Sequence, residues 1–77
     1  MTNYEKMIQL VKSDASKDQI KAWAYMNRVT VCMLPYEAEE MKPMLKSVDA
    51  FMNTKDYQIG LDEDEVWDKF LDAEYVN

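Results

Sequence analysis

The chain has 77 residues, 48% of them hydrophobic and 31% charged, with nine basic and fifteen acidic side chains for a formal net charge of −6. That length supports one small domain, 1–77, which buries only roughly 60–65% of the surface its unfolded chain exposes. Cys32 is the only cysteine and there is no histidine, which excludes an internal disulfide, a Cys/His zinc set and the usual general base.

One Gly and two Pro leave little material for hairpin turns, so an all-α fold is expected. Nine aromatics in so short and apolar a chain are too many for a disordered segment. The start, Met1-Thr2-Asn3-Tyr4-Glu5, lacks a basic region followed by an apolar run, and no stretch reaches about 18 apolar residues. No signal peptide and no membrane span are therefore expected, and the unpaired cysteine fits a cytoplasmic protein. The charge is divided unevenly. Residues 1–36 hold five basic and three acidic side chains, and residues 37–77 hold four and twelve.

The first helix, over about 3–13, opens with Thr2 as cap and Glu5 reaching back three residues later. Tyr4, Met7, Ile8 and Val11 follow at i, i+3, i+4 and i+7 on one face. Ser13 to Ser16 reads as a turn, and Ser16 with Gln19 repeats the capping pattern.

The central helix is expected over 17–34, because the apolar period runs unbroken to Pro35, which stops it. At about 100° per residue, Ile20, Trp23, Ala24, Val31 and Leu34 share one face. Ala22, Met26, Val29 and Met33 form a second row spaced 4, 3 and 4, as a self-association seam would. The third segment, over 36–53, is expected to kink or split at Pro43, which lacks a backbone donor and crowds the Glu39 carbonyl. Met41, Met44, Leu45, Val48 and Met52 form its apolar face.

Residues 53–61 are the expected loop, with Tyr57-Gln58-Ile59 extended and Gly60 breaking the chain. The last helix, over 62–74, takes Asp62 as its cap and Val66, Trp67, Phe70 and Leu71 as its stripe. The whole reads as a compact bundle of about four helices. Ile20, Trp23, Val31 and Leu34 are expected to meet Met7, Ile8, Val11, Leu45, Val48, Val66, Phe70 and Leu71.

No chemistry-bearing motif stands up. A calcium loop across residues 53–65 needs oxygen ligands at 1, 3 and 5, Gly at 6 and Glu at 12. With Gly60 at position 6, Lys55, Tyr57 and Ile59 fall on ligand positions; with Glu65 at 12, Ile59 falls where Gly is required. Cys32 lies in an apolar run with no imidazole to activate it. No metal, no cofactor and no enzymatic activity are expected. Lys12, Lys17, Lys21 and Arg28 form at most a small basic stripe, and the acidic remainder argues against direct binding to nucleic acid or an anionic membrane.

The acidic face of the last helix carries the functional expectation. Acids at its start suit the helix dipole, but Asp72 lies near the unfavourable end. Asp64, Asp68 and Asp72 stand at i, i+4 and i+8, about 6 Å of rise apart, so they repel one another. With Glu65, and with Glu37, Glu39 and Glu40 if the third and fourth helices lie side by side, they would present negative charge to a basic groove. The expected function is a non-enzymatic, acidic protein-binding module: a small stand-alone inhibitor blocking a basic, nucleic-acid-handling site on a partner protein. In size and acidity the chain resembles small phage-encoded inhibitors, anti-CRISPR proteins among them; the resemblance is one of bulk properties and carries over no residue. The alternative is a structural or regulatory homo-oligomer, at its simplest a homodimer, through Ala22, Met26, Val29 and Met33.

Overall fold

The structure, a computed structural model, describes residues 1–34, 38–58 and 60–77. Pro35, Tyr36, Glu37 and Ile59, and with them the expected stop at Pro35 and start at Tyr36, lie outside the described residues. The fold is all-α. Helix α1 spans Asn3–Val11, α2 Lys17–Met26, α3 Leu45–Met52, α4 Lys55–Gln58 and α5 Glu63–Asp72, with a 3₁₀ segment over Glu39–Met44.

Both expected capping boxes form. The Glu5 amide donates to Thr2 Oγ1 at 3.1 Å and the Thr2 amide to Glu5 Oε1 at 2.9 Å. Ser16 and Gln19 exchange the same pair at 3.2 and 2.7 Å. Each box satisfies two amides that the first helical turn leaves without partners. Asp62 caps α5 by accepting from the Glu65 amide at 3.0 Å.

The central helix ends at Met26, eight residues before the expected end. Asn27 closes it, with Nδ2 donating to the Trp23 carbonyl at 2.8 Å. Arg28 then turns left-handed (φ 53°), its amide bonds the Tyr25 carbonyl at 3.2 Å, and the Val29 amide bonds the Ala24 carbonyl at 2.9 Å. This is a Schellman closure with arginine where glycine is usual. The β-branched run Val29-Thr30-Val31 that follows is a poor helix former, which favours closure at this point. Val31 and Leu34 still reach the core, because Thr30–Leu34 makes one hydrogen-bonded turn that keeps them on one side. The row Ala22, Met26, Val29 and Met33 therefore does not exist as a single helical seam.

The third segment divides near Pro43. A proline at 43 cannot donate to Glu39 in the α pattern, so the chain runs as 3₁₀ helix to Met44 and only then as α3. Met41 and Met44, one 3₁₀ turn apart, are both buried. Tyr57 and Gln58 are helical rather than extended. Thr54 Oγ1 accepts from the Tyr57 amide at 3.4 Å and starts the short α4, and the Tyr57 ring meets Phe51 edge-on with centroids 5.8 Å apart. Gly60, at φ +78°, then turns the chain into α5.

Helix α5 is the centre of the molecule. Val66, Trp67, Phe70 and Leu71, its expected stripe, are all buried. Phe70 packs edge-on against Trp67 and Phe51 with centroids 5.9 and 5.5 Å apart. Around it α1, α2 and α4 make direct contact, while the 3₁₀ segment packs on α1 and α3. The two ends of the chain meet across this arrangement. Thr2 and Glu74 form an isolated antiparallel bridge, and the buried Asn3 donates to the Phe70 carbonyl at 2.9 Å. Asn3 Oδ1 accepts from the buried Ser47 hydroxyl, whose oxygen in turn accepts from the Val76 amide at 3.1 Å.

Three expected core residues are outside it: Trp23 and Val11 remain 48% and 43% exposed, and Leu45, at the start of α3, is only partly buried. Helix α2 leans on α5 and not flush against α1, so the Trp23 and Val11 side chains line the gap between α1 and α2.

Candidate functional site

The i, i+4, i+8 spacing of Asp64, Asp68 and Asp72 places the three carboxylates along one flank of α5. On α2, Lys17 and Lys21 are likewise one turn apart, and the packing of α2 on α5 brings the two rows face to face. Lys21 Nζ lies 2.6 Å from Asp68, 3.2 Å from Asp64 and 3.7 Å from Asp18. Lys17 pairs with Asp72, and its ammonium also lies 5.6 Å from the Tyr4 ring centroid.

The Lys21 side chain is only 12% exposed, so its stem is packed while its ammonium bridges carboxylates that are about half exposed. Its hydrogen bonds to Asp68 and Asp64 raise its pKa well above the ordinary lysine value. The bond to Asp72 likewise raises that of Lys17. Beside them Tyr25 is pushed up by desolvation and then by the charges of Asp64, Asp62 and Glu63. Glu63 also accepts from the Trp67 indole N–H at 3.1 Å, tying the acidic turn to the core.

Lys69, the one lysine of α5, makes no ion pair among the described residues; Lys17 and Lys21 relieve the acidic line instead. The small basic stripe is thereby broken up, since two of its four members point into the acidic row. The face nevertheless keeps a surplus. Residues 17–26 and 62–72 together hold seven carboxylates against three lysines. Glu65, exposed, widens this surface on α5.

The expected extension to the third segment is not assembled. Glu39 pairs with Lys42 at 2.7 Å and Glu40 is exposed, both on the 3₁₀ segment that packs on α1 and α3 and not beside the aspartates. Glu37 lies outside the described residues. Of the expected seam, Ala22 and Met26 lie on the solvent pole of α2, with Met26 85% exposed; Val29 is half-buried and Met33 exposed in the turn beyond.

A second surface was not legible as such. Between α1 and α2 a cavity of about 270 Å³ is lined by Met7, Val11, Ile20, Trp23 and Met41, with Ser13 and Gln19 at its rim. It adjoins a hollow of about 620 Å³ that continues toward Leu34 and Ala38. A third hollow, of about 380 Å³, holds the half-buried Cys32, whose sulfur lies 2.9 Å from Thr30 Oγ1. Burial, and then Cys32, raise the pKa of Tyr57 beside it.

The arrangement defines a small helical protein with one ion-paired acidic face and one open apolar cleft. Compared with protein-family models, curated proteins and solved structures, the chain finds no match in any of the three.

Proposed function

We propose that this chain is a non-enzymatic protein-binding module whose α2–α5 face occupies a basic, nucleic-acid-handling site on a partner protein and so inhibits it. The observation that carries this reading is the interlocked row itself. Asp64, Asp68 and Asp72 already hold ammonium groups at one-turn spacing, so the face has the geometry to grip a row of cations. Its surplus of carboxylates supplies long-range attraction for a basic partner, which raises association rate and makes binding salt-dependent.

The test uses a labelled nona-arginine peptide as the basic probe, with anisotropy read at low salt. D64N/D68N/D72N should weaken binding about tenfold or more, whereas E39Q/E40Q/D49N, with the same change in charge elsewhere, should weaken it less than about threefold. Equal losses in the two triple variants would reduce the effect to net charge and sink the reading.

The exposed Met26 and Trp23 favour a second reading, self-association through α2 and the cleft beside it. Large apolar side chains of these types are enriched in protein interfaces. Sedimentation of the wild type should then show a dimer that M26D dissociates; a monomer at all concentrations would remove this reading.

A further inference from the structure

Helix α2 is weakly tied by apolar contact. Of its ten residues only Ile20 and Ala24 are buried, and Ala24 contributes a single methyl group. On its α1 side lies the cavity of about 270 Å³ where packed side chains would otherwise be. On its α5 side the outer contacts are ionic: Lys17 with Asp72, and Lys21 with Asp68 and Asp64. An element held by few apolar contacts belongs to the low-stability end of a structure, and exposed ionic contacts weaken with salt.

We infer that α2 is a latch over the acidic face: Lys17 and Lys21 fill, as internal cations, the places that a partner's basic side chains take, and binding exchanges them. Released, α2 lifts away from α5, and the carboxylates of Asp64, Asp68 and Asp72 become free for the partner's cations. The exchange couples the two halves. Three aspartates one turn apart repel one another when uncovered, so α2 lifts where other cations or the screening by added salt take over from its own. The partner half of this inference rests on the acidic-face reading above; the latch itself does not.

Hydrogen exchange on the full chain separates the two. Raising sodium chloride from about 20 mM to about 500 mM should lower protection of the α2 amides from Ile20 to Met26 about fivefold or more, while those of Val66 to Leu71 change less than about twofold. K17Q/K21Q should show the low α2 protection at both salt concentrations. If that variant does not fold, the wild-type salt series decides alone. Protection in α2 that is unchanged by salt, or that changes in step with α5, overturns the latch. Adding nona-arginine at low salt should deprotect α2. Binding of the peptide with α2 protection unchanged or raised overturns the exchange and leaves the face reading standing. Failure to bind removes the face reading, and the salt series still decides the latch.

Discussion

The Lys21 ammonium sits between Asp64 and Asp68 with its stem packed, and Lys17 meets Asp72 one turn earlier. Both lysines have pKa values raised in the fold from an ordinary 10.5, and Tyr25 and Tyr57 have theirs raised from 10.0. The sign is the same for all four. Each binds its proton more tightly folded than unfolded, so its contribution is fully present below the ordinary value and is lost as pH rises through the folded one. Glu5 acts at the other end of the scale. The Thr2 amide, then the Thr2 hydroxyl, lower its pKa below 4.5, so its contribution is present above that value and lost as pH falls through the lowered one. Thermal melts at about pH 8 and about pH 11 should show a clear fall in Tm, smaller in K21Q than in wild type. An equal fall in both would show that Lys21 gains nothing from its carboxylates.

At the scale of elements, the starts of helices were legible and one end was not. Thr2/Glu5, Ser16/Gln19 and Asp62 mark starts with local side-chain chemistry, and α1, α2 and α5 begin where these caps direct. The stripe Val66, Trp67, Phe70 and Leu71 also carried over intact, since four apolar residues on one face of a capped helix have one sensible place to go. The end of α2 was hidden because Val31 and Leu34 keep the helical apolar period although the backbone has left the helix. The warning lay in Asn27 and the three β-branched residues Val29, Thr30 and Val31 just beyond Arg28. The expected extended run at Tyr57 failed for a related reason, a threonine hydroxyl at 54 being enough to start one turn. The Arg28 closure gives a quantitative expectation. A non-glycine residue at φ 53° bears a steric cost that glycine avoids. That left-handed cost is about 1–2 kcal/mol, from which the unfolded-state entropy that glycine adds takes back about 0.4–1 kcal/mol. R28G should therefore raise the unfolding free energy by about 0.5–1 kcal/mol in urea titration; a loss of that size would mean that the Arg28 side chain holds the turn by its own contacts.

Over the whole molecule, what escaped the sequence is what depends on which helix leans on which. The aspartate row and the lysine pair were each visible, at matching one-turn spacings, but nothing local says that α2 lies on α5. The same lean leaves Trp23 and Val11 in an open cleft although both keep perfect core periodicity. The junction of the chain ends through Asn3 and Ser47 is also tertiary, made by two small polar residues with no pattern around them. The seam expected on the central helix dissolved with the helix that would have carried it.

In the function proposed above, the partner's positive charge is received on the α2–α5 face. Backbone amide shift mapping by NMR, titrating the full chain with nona-arginine at low salt, locates that contact directly. Perturbations should concentrate in Lys17–Tyr25 and Asp62–Asp72 and diminish with added salt, with Leu10, Ala38 and Met41 unmoved. Shifts centred on the cleft residues, or spread evenly over every exposed carboxylate including Asp49 and Glu74, would contradict that function.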